Sequence, residues 1–555
     1  MHSPQPSAFG PRFLPIACIV VVVVLVLAPG VAGDWGRDDY FQLAFARLLD
    51  SPWPLFAHDH FPVPGSVFRP LGFASMWLGV HLFDNGYATH AWSDIALHAG
   101  VALALFALLR RTGVATVSAL LATLFFAVHP ASSGVALWWS ARFDVLATLF
   151  VLIALNAAFA YRTTARVAAL VIALGAALAA MLSKEIGLVA IAAMVLAWAQ
   201  WTIVEPARRR RALLAIGLAL LFAGVYFIWR AAVLGTPASG LTGALPLAPT
   251  ILKGLADWLH QAPGYLSWWP RLGFPARVLL GFATVAIVCL SARLQRIDWR
   301  EDLAPLLCGA CLLVLPALLQ APVAALNARP LGVGESVVEA AMQSRLYYLG
   351  IAGVALILAV LLDRVQRTRV AWRWTALIAI TTAALLALAR VAHDDARAFA
   401  ERSRRNAAVA HAAVDAVDAL ALPSAPCHVV FLGIEPPPEW GAFVSMDSVV
   451  KALDSDLARV DRCWFHANYP TWFYLVPASV DPSAALPYRP LQIDGHDVPW
   501  LHVGSATIAY LRAESAVGAD ERARMRYLRW NGARFDQVDA DVAAGSPPVD
   551  VGSPR

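Results

Sequence analysis

Long apolar runs separated by short polar segments fill the chain as far as residue 392, and a mixed polar pattern follows. A membrane-crossing helix needs about 20 largely apolar residues. Runs at 12–32, 91–109, 113–129, 143–160, 167–182, 186–203, 212–234, 276–291, 303–322, 346–362 and 374–392 meet or approach that length, which predicts about eleven transmembrane helices. The first of them is as long as a full span and longer than a signal-peptide core, so it is read as retained. The segment 70–83 is also apolar, but it is short, and Trp77 and His81 suit a helix lying at the interface. It is therefore placed in the loop that follows the first span.

Arginine placement orients these spans. With a cytoplasmic N-terminus, Arg110 and Arg111, Arg162 and Arg166, Arg208 to Arg211, Arg293 with Arg296 and Arg300, and Arg364 with Arg367, Arg369 and Arg373 all fall in cytoplasmic connections. This is the bias expected of short loops. Counting 70–83 as a span would reverse every later loop and put those clusters outside. The resulting outer segments are a first loop at 33–90, a second at about 234–276 with Trp258, Trp268 and Trp269 at interfacial positions, and everything after residue 393.

That last segment has a different periodicity. A charged, Ala-rich stretch at 394–422 suits a helix emerging from the membrane, and strand-like runs follow at 428–432, 472–476, 507–511 and 525–530. Asn531-Gly532 is a hairpin signal, because both residues tolerate the positive φ angles of a tight turn. The chain therefore reads as a transmembrane domain at 1–392, a small mixed α/β extracytoplasmic domain at 393–545 and a disordered tail at 546–555, rich in Gly, Ser and Pro.

Composition agrees with this class. Hydrophobic residues make up 59% of the 555 positions and charged residues 15%, against a soluble norm of about half and a quarter. The net charge of +5 is small and dispersed, which argues against a nucleic-acid partner. Cys308 and Cys311 have CxxC spacing, but within an apolar run that lacks the His or acid a metal or redox site needs, and they read as packing. Cys427 and Cys463 lie in the polar region and can pair in an oxidising compartment.

Candidate chemistry lies at the predicted outer boundary. Asp38 and Asp39 follow the first span, where a partly desolvated carboxylate can take a proton from a hydroxyl; a solvated acidic loop is the other reading. Arg69, beside Pro70, suits either a phosphate or a lipid headgroup. His129-Pro130 precedes Arg142 and Asp144, which flank the next re-entry into the bilayer and read either as a structural pair with each other or as functional groups. Lys184 and Glu185 occupy a short outer turn, either as an exposed ion pair or with Lys184 turned to a phosphate. Arg345 stands before Tyr347 and Tyr348 at a further outer boundary, where anchoring is the competing role. With acids and cations on one face, the set could border a single cavity suited to transfer from a lipid-phosphate donor: a base for the acceptor and positive charge for the departing phosphate. An Asp pair can also hold a divalent ion, but no cluster in the sequence completes a shell.

The ordered set resembles the GT-C superfamily of membrane glycosyltransferases over about residues 30–362. It comprises Asp38-Asp39, Arg69-Pro70-Leu71, His129-Pro130 with Arg142 and Asp144, Lys184-Glu185, and Arg345 with Tyr347-Tyr348-Leu349. The protein O-mannosyltransferases and their relatives bearing tetratricopeptide repeats are the most similar; those repeats are absent here. The resemblance implies an inverting transfer from a polyprenyl-phosphate sugar; it does not supply the acceptor, for which a protein, a glycan and a lipid stay open, and a bacterial inner membrane is the expected location. The resemblance also implies Asp38 as base with Asp39 beside it, and Arg69, Lys184 and Arg345 at the donor phosphate. His129, Arg142, Asp144, Glu185 and Tyr348 would organise the cavity. Where the family's His-Pro segment commonly carries an acid four residues after the proline, this chain has Gly134. A transporter or flippase, and a non-catalytic envelope-assembly protein on the same scaffold, are the alternatives. A transporter would place repeats and broken spans around ionisable residues at the midplane.

Overall fold

The computed structural model describes residues 10–61, 65, 67–235, isolated positions between 274 and 285, 302–326, 345–367, 371–422, 427–434, 445–467, 473–481, 488–490, 492–493, 496–497, 500–513 and 525–538. Contacts divide the chain into two compact units: 1–32, 91–229 and 242–400 in one, and 33–90, 230–241 and 401–555 in the other. The predicted first loop thus groups with the C-terminal region.

The first unit is helical. It contains α1 (Gly10–Leu27), α4 (Tyr87–Arg111, entering from the second unit), α5 (Thr116–Ala127), α6 (Pro130–Leu137), α7 (Arg142–Thr164), α8 (Val167–Ser183), α9 (Val189–Val204) and α10 (Arg209–Leu234). It also contains α11 (Leu303–Leu326), α12 (Tyr348–Arg367) and most of α13 (Ala371–Asp418). Among the described residues seven helices are long and apolar enough to cross a membrane, and α5 with α6 makes an eighth if that bent pair is one span. Apolar helices of shorter length stand at 167–183 and 303–316, where spans were expected, and the expected span at 276–291 lies outside the described residues. The chain is a polytopic, integral membrane protein.

The run expected as a span at 113–129 forms the shorter helix α5, and the chain bends where the expected outer loop begins. The α5–α6 pair bends by 59° at Val128-His129, because Pro130 has no N–H to continue the ladder. The carbonyls released at the break find side-chain donors: Ser132 Oγ donates to the Phe126 carbonyl (3.0 Å) and His98 Nε2 to that of Ala127 (3.1 Å). His129 Nδ1 accepts from the Ala131 N–H (3.2 Å), capping α6. Every residue of α6 is buried, so this segment is a helix within the unit instead of the loop the sequence suggested.

Several predicted cytoplasmic connections meet. The Ala115 N–H donates to Asp363 at 2.7 Å, Ser118 to Gln366 at 2.9 Å, Arg367 pairs with Asp363, and Arg364 with Asp302. Likewise Arg162 and Arg208 both reach Glu205. The expected arginine-rich loops at 110–115 and 363–367 therefore share one end of the unit, as do those at 162 and 205–208.

The second unit joins α2 (Asp39–Leu48) and α3 (Pro70–Leu82) to the C-terminal strands. One sheet has the order β10-β9-β1-β2, with β1 (Cys427–Leu432) parallel to both β2 (Cys463–Ala467) and β9 (Met525–Trp530). The β9–β10 (Phe535–Val538) hairpin turns at Asn531-Gly532, with Gly532 at φ +99°. A second sheet pairs β8 (Ala506–Ala513) with β3 (Phe473–Pro477), β4 (Tyr488–Pro490) and β7 (Leu501–Val503), all antiparallel. β5 (Gln492–Ile493) and β6 (His496–Asp497) form a short ribbon. Cys427 and Cys463, facing partners in register, form a disulfide.

The helix α14 (Met446–Leu453) lies against α2. Arg47 donates to the carbonyls of Lys451 and Ala452, both at 2.8 Å, and Asn85 to those of Ala452 and Leu453, so the open carbonyl end of α14 is closed by the 33–90 segment. Within α14, Lys451 bonds Asp447 at 2.8 Å with both side chains fully buried. Burial pushes the Asp447 carboxyl up and the Lys451 ammonium down, each opposed by the charge of the other.

Candidate functional site

The helical unit contains a buried polar cluster where α7 and α12 begin and α8 ends. Arg142 is 3% exposed, and its Nε donates to Asp94 on α4 at 2.6 Å while Nη2 bonds Ser93. Asp144 instead receives Lys184 through both carboxylate oxygens, at 2.6 and 2.7 Å. The Arg142–Asp144 pair of the structural reading is thus replaced by two pairs. Residues two apart on a helix diverge by over half a turn, so each charge meets a different neighbouring helix. The exposed Lys184–Glu185 pair is corrected as well, since Lys184 is turned inward and buried.

The turn that presents Lys184 depends on a glycine. A Cβ on Gly187 would lie 2.2 Å from the Ala180 carbonyl carbon, so only glycine lets Glu185–Leu188 fold back against α8. Glu185 is half-buried and opens that turn.

The Arg345 guanidinium lies 4.8 Å above the ring of Trp138, and that of Arg142 is 5.6 Å from the Trp139 ring. Tyr348 is fully buried; its hydroxyl donates to His98 Nδ1 at 2.6 Å, the direction required once Nε2–H is committed to Ala127. Arg142, Asp144, Lys184, Arg345 and Tyr348 thereby belong to one connected layer, and His129 serves as the α6 cap. Counting back from the arginine-rich end, Arg142 precedes Arg162 on α7 by a rise of about 30 Å, close to a hydrocarbon thickness.

Asp94, Ser93 and His98 escaped the sequence reading. Their signal was a set of polar residues, Ser93, Asp94 and His98, at helical spacing inside an apolar span, which membrane energetics make costly unless partnered.

The second unit holds the aspartates. Gly36 to Asp39 form a turn closed by the Asp39 N–H to the Gly36 carbonyl at 3.1 Å, and Arg37 adopts a left-handed conformation at φ +50°. For a non-glycine residue this costs about 1–3 kcal/mol and persists only where surroundings enforce it. Trp35 supplies such a constraint: it is 2% exposed, its indole donates to the Asn85 carbonyl, and its own carbonyl accepts from Tyr40. Asp39 is buried and its carboxylate accepts the Gly36 N–H at 3.2 Å; Asp38, at the α2 N-cap, is half-buried and makes no capping bond with its side chain. Asp34 is held by His411 at 2.8 Å, and its backbone N–H by Ser403. Arg69 precedes α3, with its backbone N–H on His60 Nε2.

Among the described residues no group of three or more His, Cys, Asp or Glu side chains converges as a metal site, and Cys308 and Cys311 are buried free thiols.

No protein-family model and no curated protein matches the chain. It is similar in structure to ArnT from Cupriavidus metallidurans bound to undecaprenyl phosphate, at 13% identity and TM-score 0.45, covering 91% of this chain and 98% of that one. It is also similar to the Archaeoglobus fulgidus oligosaccharyltransferase in complex with zinc and sulfate, at 14% identity and TM-score 0.46, covering 80% and 62%. A further match is the archaeal oligosaccharyltransferase AglB from Archaeoglobus fulgidus with an inhibitory peptide and a dolichol-phosphate, at 13% identity and TM-score 0.42, covering 80% and 65%.

Proposed function

We propose that this protein is an inverting glycosyltransferase that moves a sugar from a polyprenyl-phosphate donor to an acceptor hydroxyl at the outer face of the membrane. The observation that carries the reading is the buried layer of Arg142, Asp94, Lys184 and Asp144, with the half-buried Arg345 on Trp138, within an apolar bundle. Such charge is costly in a membrane and is kept where an anionic group is handled. Asp38 is the base. It removes the acceptor proton as the acceptor oxygen attacks the anomeric carbon, while the bond from that carbon to the phosphate oxygen breaks on the opposite face. The electron pair leaves with the polyprenyl phosphate, whose growing charge Arg345 stabilises. Asp39, already committed to the Gly36 turn, holds the turn that presents Asp38.

Arg69 is a further phosphate contact. Lys184, tied through two bonds to Asp144, organises the layer together with Arg142, Glu185, His129 and Tyr348. The Cys427–Cys463 disulfide fits a C-terminal region on the oxidising side of a bacterial inner membrane, and the arginine clusters fit a cytoplasmic N-terminus. The acceptor is a protein or a glycan.

The test compares envelope glycans and glycoproteins by mass in a deletion strain complemented with parent, Asp38→Asn or Asp39→Asn. Loss of one sugar-bearing species in the deletion strain and with Asp38→Asn, at normal protein level, is expected. Full transfer by both variants would remove the aspartates from the chemistry.

A further inference from the structure

His411 ties the outer part of α13 to the segment that leads into the Gly36–Asp39 turn. Its Nε2 donates to Asp34 Oδ2 at 2.8 Å. The other Asp34 carboxylate oxygen accepts the Trp35 N–H at 2.8 Å, and the Asp34 backbone N–H donates to Ser403 Oγ at 3.0 Å. Ser403 and His411 are separated by about 12 Å of helix, so α13 grips Asp34 at two levels. Ser403 belongs to a buried stripe with Ala407, Ala410, Val414 and Val417, at the three- and four-residue spacing of a packed helix face. The Ser403 anchor is therefore fixed by packing, whereas the His411 side chain, beside the stripe, is 51% exposed and can titrate.

The chain from Asp34 to Asp39 has little slack. Trp35 is held through its indole to Asn85 and through its carbonyl by Tyr40, and Arg37 keeps a left-handed backbone that lasts only under constraint. The charged groups acting on the His411 imidazole are Asp34 and, one turn further along α13, Asp415. The hydrogen bond to Asp34 raises the His411 pKa above the ordinary 6.5, and burial opposes it in part. Nε2–H donates in both charge states, but the imidazolium makes the stronger, charge-assisted bond. That extra strength is fully present below pH 6.5 and is lost as pH rises through the raised pKa.

Given the base role proposed above for Asp38, we infer that His411, as the imidazolium, is a positioning residue for the reaction: it fixes Asp34 against α13 and so holds the turn that presents Asp38 to the acceptor hydroxyl. The experiment uses full-length protein in detergent and reads hydrogen-exchange protection factors of amides 35–39 at pH 6 and pH 8. Parental protection is expected to fall about threefold between the two. His411→Ala starts about fivefold below the parent at pH 6. His411→Gln, whose amide can donate to Asp34 but cannot titrate, lies between them and gives the same value at both pH values. A deletion strain complemented with the same variants and grown at pH 6 and pH 8 makes the sugar-bearing species in the same order, per unit of protein. Parental protection in His411→Ala would overturn the assignment and leave the transfer reading standing. So would lowered protection with parental product, or a His411→Gln variant that keeps the parental pH dependence. A deletion strain that loses no sugar-bearing species would overturn the transfer reading and this assignment with it.

Discussion

Separating Asp144 from Lys184 tests both the packing and the assignment of roles. At 2.6 Å and an effective dielectric of about 20, the pair's attraction is about 6 kcal/mol, set against several kcal/mol of desolvation for each ion. Removing one partner strands the other where it is 3% or 11% exposed, so Asp144→Leu and Lys184→Met each lower stability by about 3–5 kcal/mol. The double variant, apolar at both positions, stays within about 1–2 kcal/mol of the parent. Cys308 and Cys311 provide the assay: both thiols are buried and free on α11, so a thiol-reactive dye reports opening of the helical unit once Cys18 and Cys289 are serine. Additive losses in the double variant would refute the coupling. The same variant separates two functions: retained transfer assigns Lys184 to organisation, and lost transfer in a stable protein returns it to the donor phosphate.

Three further outcomes follow from the second unit. Burial holds His428 at about 4 and His466 well below 6.5, so the unfolded chain takes up protons first as pH falls. Stability is therefore full above about pH 6.5 and falls by about 3 kcal/mol for His428 alone as pH drops toward 4; thermal unfolding at pH 7 and pH 5 measures this, and His428→Phe should flatten the difference. Replacing Cys427 and Cys463 by serine frees a loop of 36 residues and costs about 4 kcal/mol in the chain-entropy account, read as lost amide protection in β1 and β2. Arg47→Ala removes two charge-assisted bonds to α14 carbonyls, costing about 2–3 kcal/mol and raising hydrogen exchange in α2 and α14 together, with Arg47→Lys recovering part of it.

What the sequence disclosed was what local pattern controls. Apolar run length located the helices, the Asn531-Gly532 pair located the hairpin, and short β-branched and aromatic runs located β1, β3, β8 and β9. The arginine loops were grouped correctly where the contacts bring them together, because loop charge is also a local property. Pairings set by tertiary packing were illegible: Arg142 reaches Asp94 across 48 positions and Lys184 reaches Asp144 across 40, while the nearer Asp144 and Glu185 looked like natural partners. Apolar run length ended the expected span at 129, where α5 bends into α6, but it could not show that the segment beyond is a buried helix and not a loop.

The closure of α14 by Arg47 and Asn85 also bears on protein engineering. A fragment beginning near residue 401 would expose three bare carbonyls and the apolar side of a helix, inviting aggregation during expression. A soluble piece worth making should splice residues 33–90 ahead of 401–538, so that the surfaces which cover each other travel in the same polypeptide.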